Sequence, residues 1–244
     1  MYGGSSMKIL IPMAGEGSRF AREGYVFPKP LIDVNGKPMI QRVVENLDFD
    51  AEYIFLVRAE HLEKYSGLRS TLQRITDDRC TIVEVDSLTE GAACTCLLAK
   101  EHINVDDDLL IANSDQIIEY EKDNFTILKS NTDFDGIVYC FNDVHPKWSF
   151  AKLNSRHMIT EIREKEPISN IATCGIYWFR HGSDFVSNAE SMIENDLRVN
   201  GEFYVAPTYN QMIGDGKKVS PFYVTKMHGI GTPEDLNNYL RVSR

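Results

Sequence analysis

The chain has 244 residues, 43% of them hydrophobic and 25% charged, and a formal net charge of −10 at pH 7. This balance excludes a disordered or collagen-like chain, and so acidic a surface excludes nonspecific nucleic-acid binding, which runs on many Lys and Arg contacts to phosphate. No apolar run reaches the roughly 18 residues needed to cross a bilayer, and no basic-then-apolar leader opens the chain. No membrane partner is therefore expected, and a cytoplasmic location is.

Residues 1–6 (MYGGSS) are small and polar and read as a tail, with Met7 the expected start. KILIPM (8–13) is a short apolar strand ending in a glycine loop. IQRVVENL (40–47) has helical spacing behind Pro38, and YIFLV (53–57) is a buried strand followed by an amphipathic stretch over 60–75. TIVEV (81–85) reads as a strand, GAACTCLLAKEHI (91–103) as a helix and DLLIAN (108–113) as a strand. Repeated strand–helix units of this length predict a parallel sheet with helices on both faces. After about residue 135 the helices thin out. GIVYCF (136–141), SFAKL (149–153), MITEIREK (158–165) and ATCGIYWF (172–179) predict antiparallel additions to the same sheet. Helices over 183–195 and about 205–213 follow, then a strand over 219–225. The closing GTPEDLNNYLRV has Thr232 as N-cap, Pro233 at the first helical position and acids in the first turn. With no linker or repeat, 7–244 is expected to form one mixed α/β domain.

The five cysteines lack CxxC spacing and are expected to be small core residues of a reducing compartment. The six histidines form no HxxxH or HExxH cluster, so zinc chemistry is not expected. Trp148 and Trp178 read as core or rim residues rather than as a cage for a cation.

The chemistry is concentrated in residues 13–38, MAGEGSRFAREGYVFPKPLIDVNGKP. Gly15 and Gly17 follow a strand expected to be parallel, so the backbone can turn tightly and a ligand can reach its N–H groups. Arg19 and Lys29 add cations to an otherwise acidic protein. Ligands of open α/β sheets sit beyond the carboxyl ends of the strands, where this loop falls. It is neither a Walker loop nor a GxGxxG dinucleotide fingerprint.

The whole pattern, A/G-G-x-G-x-R, then P-K-P-L, then G-K-P-M, resembles the nucleotidyltransferases that make nucleoside-diphosphate sugars and related activated metabolites. Further matches in the same order are TEGAA (89–93), NSD (113–115), EKEP (164–167), TCGIY (173–177) and GIGTPEDL (229–236). The resemblance implies a Rossmann-like, mixed and mostly parallel sheet of the GT-A-like nucleotidyltransferase type. A nucleotide-binding half over about 7–135 and an acceptor-binding half over about 136–244 would compose it. It implies that Met13, Ala14, Gly15, Glu16 and Gly17 hold nucleotide, with Glu90, Gly91 and Ala92 near the base. Arg19 and Lys29 would clamp the triphosphate, and Asp115 would hold Mg²⁺. Lys165 would orient the acceptor phosphate, with Glu164, Gly175, Glu202 and Tyr204 around the acceptor. The reaction implied is attack of a phosphomonoester oxygen on the α-phosphorus with release of pyrophosphate. A homodimer is compatible with the resemblance.

Two positions depart from the family. The second metal aspartate of the family's D-x-G motif falls on Gly229, so that carboxylate is absent or comes from Glu234 or Asp235, or the nucleotide's own phosphates and water take its place. His228 is adjacent but suits Mg²⁺ poorly. Five residues before Gly91, where members using thymine or uracil nucleotides place glutamine, stands Asp86. A carboxylate only accepts hydrogen bonds and cytosine offers its 4-amino group, so CTP is the expected nucleotide. The acceptor would be a sugar 1-phosphate or a phosphorylated amino-acid derivative such as phosphoglutamine, activated for capsule or other surface polysaccharide. A dTTP- or UTP-using enzyme, a glycosyltransferase of the same architecture and a noncatalytic nucleotide binder are the alternatives.

Overall fold

The apolar run Lys8–Met13 becomes β1, the strand around which the rest is ordered. The computed structural model describes residues 7–244, so the expected tail lies outside the described residues. In chain order it continues with α1 (Ser18–Arg22), the short hairpin β2 (Asp33–Val34) and β3 (Lys37–Pro38), α2 (Met39–Leu47) and β4 (Glu52–Arg58). Next come α3 (Ala59–Lys64), α4 (Ser66–Ile75), β5 (Cys80–Val85), α5 (Ala92–Leu97), α6 (Lys100–Ile103) and β6 (Leu109–Ala112). The second half holds β7 (Gln116–Glu119), α7 (Lys122–Ser130), β8 (Gly136–Asn142), β9 (Ser149–Leu153), β10 (Ile159–Glu164) and β11 (Ile171–Phe179). It ends with α8 (Gly182–Glu194), α9 (Tyr209–Gly214), β12 (Val219–Tyr223), β13 (Lys226–Gly229) and α10 (Pro233–Val242).

The main sheet runs β10-β9-β11-β6-β1-β4-β5, with β8 also on β11 and β12 on β8. β6, β1, β4 and β5 are parallel, as the alternating units predict. β11 pairs antiparallel with β6, β8 and β9, and β12 joins parallel to β8. Strand side chains alternate between faces, so Ile9 and Ile11 enter one buried cluster and Leu10 the other. Both faces are covered. Met39, Ile40, Val43 and Leu47 of α2 pack on the first, and Phe185, Val186 and Ala189 of α8 on the second. Trp178 is core, its Nε1 donating to Asp108 Oδ2 at 2.9 Å. Trp148 is half-buried on a cleft rim. Cys96, Cys140 and Cys174 are buried, and burial pushes the Cys140 thiol up to about 12.

Several elements differ from expectation. The stretch 60–75 is two helices with an extended Tyr65 between them, and 91–103 is two short helices. The segment over 205–213 begins as a 3-10 turn at Ala206–Thr208, where Pro207 has no N–H to give. β7, α7 and β13 had no clear signal. β7 and β13 are four residues each and pair with one another across more than a hundred residues, a contact that composition does not announce.

Candidate active site

The carboxyl ends of β1, β4 and β5 lie side by side, as the registers Met13 with Val57 and Arg58 with Val85 require. The glycine loop leaves β1 at this edge. Gly17 has a left-handed backbone (φ 62), which the fold itself demands. Gly15 differs: its φ is ordinary and a Cβ there would meet nothing within 4 Å, so no protein contact explains the glycine. A Cβ on Gly17 would lie 3.5 Å from Cβ of Lys29, so the loop rests against that lysine.

Lys29 stands on a 3-10 turn over Lys29–Leu31. Its Nζ donates to Asp115 Oδ2 at 2.6 Å, with both side chains partly exposed. Asp115 occupies the short link between β6 and β7, and its carbonyl accepts from the Ile230 N–H at 2.9 Å. A Cβ on Gly231 would strike Asp115 Oδ2 at 2.5 Å, so the bare backbone there makes room for the carboxylate.

Further residues of the site come from the second half. Lys165 has a left-handed backbone (φ 58), fixed by its N–H donating to the Trp148 carbonyl at 2.8 Å. Its ammonium lies 5.1 Å over the Tyr204 ring, and Tyr204 donates to Glu202 Oε2 at 2.8 Å. The hydrogen bond with Tyr204, with Glu164 and Glu202 nearby, holds the lysine above its ordinary pKa. Burial pushes the Glu164 carboxyl up to about 7, against the pull of Lys165. β11 bulges between Thr173 and Tyr177, and Gly175 in that bulge has φ 79. A Cβ on Gly175 would lie 2.4 Å from the Asn113 amide, so this glycine has a structural reason of its own.

These residues border one cleft of about 570 Å³. Arg19, Lys29, Ala92, Asp115, Glu164, Lys165, Gly175 and Tyr204 all line it. Met13, Gly15 and Gly17 line a smaller hollow of about 280 Å³ that shares Lys29 and Asp115 with it. Ala14, Glu16, Asp86, Glu90, Gly91 and Glu202 line neither. Asp86 is exposed just past β5, Ala14 packs into the core, and Glu90 pairs with Arg198 at 3.0 Å. Gly91 (φ 129) is pressed against Phe203, whose N–H donates to the Glu90 carbonyl at 2.8 Å. Sequence reasoning missed Lys147, which lies in no motif, and gave Thr173 and Tyr177 no role although both lie in the TCGIY match; Trp148, expected as a core or rim residue, borders this cleft. Lys147 Nζ lies 4.7 Å from the Trp148 ring centre.

The donors fit a hard divalent cation. Asp115 and Asp235 both border the cleft and offer carboxylate oxygens, the ligands Mg²⁺ prefers. His228 turns its Nε2 instead to Glu119 Oε1 at 3.1 Å.

Fold and site together define an α/β protein with Lys29 and Asp115 in a cleft lined from both halves of the chain. The chain belongs to the nucleotidyl transferase family, whose model matches residues 8–237. It is 28% identical over 179 residues to the bifunctional protein GlmU of Methanococcus aeolicus, covering 72% of this chain and 40% of that protein. It thus spans less than half the length of that relative. A nucleoside-diphosphate-sugar pyrophosphorylase from Vibrio cholerae superposes with a TM-score of 0.80 at 24% identity, over 96% of this chain and 99% of that one. An inositol-1-phosphate CTP transferase from T. maritima does so at 0.75 and 14% identity, over 98% and 95%. These structural likenesses establish the fold.

Proposed function

We propose that the protein is a Mg²⁺-dependent nucleotidyltransferase that joins the nucleoside monophosphate of CTP to a phosphorylated small molecule and releases pyrophosphate. The observation that carries this reading is the shared cleft that Arg19, Lys29 and Asp115 line together with Glu164, Lys165 and Tyr204. The nucleotide lies along the glycine loop and the acceptor against β10 and β11. An acceptor phosphate oxygen attacks the α-phosphorus in line, and the bond from that phosphorus to the bridging oxygen breaks toward pyrophosphate. Lys165 holds the attacking phosphate, and Glu164 contacts its organic part. Arg19 and Lys29 meet the charge that builds on the leaving group, and with positioning they carry the catalysis. Mg²⁺, held by Asp115, would neutralise charge on the phosphates. Within this reading the acceptor is a sugar 1-phosphate or a phosphorylated amino-acid derivative such as phosphoglutamine, and the product a donor for surface polysaccharide.

The cytosine preference comes from the place of Asp86 five residues before Gly91 in the chain; its exposed position, outside both hollows, lends that preference no support. Pyrophosphate release is the test, with CTP, UTP, dTTP, ATP and GTP crossed against hexose 1-phosphates, phosphocholine, glycerol phosphate and phosphoglutamine. Acceptor-dependent release with CTP is expected, and Asp86→Gln should move the preference toward UTP. Release with UTP or dTTP alone would sink the cytosine assignment. Transfer of a sugar with no pyrophosphate would indicate a glycosyltransferase.

A further inference from the structure

Gly229 ends β13, and the pairing with the β7 side continues one step further through the Ile230 N–H and the Asp115 carbonyl at 2.9 Å. The strand ends at Gly229, and 231 already lies in the bend that leads into α10. Two carboxylates border the two glycines. A Cβ on Gly231 would lie 2.5 Å from Asp115 Oδ2, and a Cβ on Gly229 would lie 3.7 Å from Asp235 Oδ2. Asp235 reaches there from the first turn of α10, and Thr232 sets its place by accepting from the Asp235 N–H at 3.1 Å. Both aspartates and both glycines border the same cleft. The neighbouring Glu234 is exposed and lines a separate depression with Glu23 and Arg241.

We propose that Asp235 supplies the second carboxylate of the Mg²⁺–nucleotide site, reaching into the space that a side chain at position 229 would fill. The proposal rests on the nucleotidyltransferase reading. The carboxylate has moved from strand to helix: the glycine at 229 leaves room, and the N-cap turn of α10 aims the replacement. Two carboxylates then face the cleft, and Lys29, which now holds Asp115, is free to turn to the triphosphate when cation and nucleotide arrive together.

Mn²⁺ is the probe, because the free ion is read directly by electron paramagnetic resonance. It would be titrated on the full chain with and without each of the five nucleoside triphosphates. The proteins compared are the wild type, Asp115→Asn, Asp235→Asn, Glu234→Gln and the double variant Asp235→Asn with Gly229→Asp. Asp235→Asn is expected to weaken nucleotide-dependent Mn²⁺ binding by roughly 10- to 100-fold, and Glu234→Gln to leave it unchanged. Gly229→Asp should restore most of the loss, since φ at 229 is ordinary and the nearest atom is the residue-235 side chain itself. Thermal melts check folding, and Asp235→Ser serves if the asparagine variant does not fold. Wild-type Mn²⁺ affinity in Asp235→Asn beside a loss in Asp115→Asn would overturn the Asp235 assignment and leave nucleotidyl transfer standing. Equal losses in Glu234→Gln and Asp235→Asn would also overturn it. No Mn²⁺ binding by the wild type with any triphosphate would overturn both readings.

Discussion

Lys29 and Asp115 are 2.6 Å apart yet partly open to water, so their pairing contributes little to stability. Lys29→Met should therefore cut kcat/KM by on the order of 100-fold while the melting temperature barely moves. Pyrophosphate release and a thermal melt on the same preparation check this. A parallel collapse of both would make the lysine a structural residue. Glu164 carries a second prediction. Its folded pKa of about 7 lies above the ordinary 4.5, because burial disfavours the charged form. Between those values the folded chain holds more proton than the unfolded one, so stability falls as pH rises through that window. Glu164→Gln removes the effect. The melting temperature of the variant relative to wild type should climb from pH 4.5 to 7 and then level off. A difference independent of pH would mean that this carboxyl titrates like an exposed one.

The loop before α5 is stitched to the segment before the 3-10 turn at Ala206. The Phe203 N–H donates to the Glu90 carbonyl at 2.8 Å, and the Phe203 carbonyl accepts from the Ala93 N–H at 3.0 Å. Gly91 allows this approach, since its φ is 129 and a Cβ would lie 2.4 Å from the Phe203 oxygen. Gly91→Ala is expected to cost roughly 2 kcal/mol or more, read from denaturant unfolding. It should also raise the KM for nucleotide and for acceptor together, because Tyr204 follows Phe203 directly and Lys165 lies over its ring. A change in neither KM would mean that the stitch is only packing. At the other end of the chain, Thr232→Ala removes the one side-chain cap of α10 and should cost about 1 kcal/mol.

Across the whole molecule, the cleft joins side chains from the parallel half and the antiparallel half of one sheet. A ligand bound there favours the folded chain by mass action. Nucleotide with Mg²⁺ at about 100 times its Kd stabilises by about 2.7 kcal/mol. For a chain of this length that raises the melting temperature by roughly 5–10 °C. A thermal-shift titration checks it, and Asp115→Asn should abolish the Mg²⁺-dependent part. No shift with any triphosphate would contradict a nucleotide site in this cleft.

Contiguous residues were enough for the parallel strands, for the Thr232 cap and for the glycine loop with its two cations. Each of these depends on local period, on turn chemistry or on neighbours within one segment. The two-way breaks of 60–75 and 91–103 escaped, because helical spacing continues across a one- or two-residue interruption. β7 and β13 escaped because each is too short to bury a face alone and exists only by pairing with the other. The cleft belongs to the same class of facts. Residues 29, 115, 165, 204 and 235 meet only because sheet register and the β11 bulge bring together strand ends far apart in the chain. Local pattern was enough for the parallel strands and for the family to which the chain belongs. Which carboxylate stands beside the space at Gly229 is visible only in the packed fold, because it depends on where α10 lies and not on what is next to Gly229 in the chain.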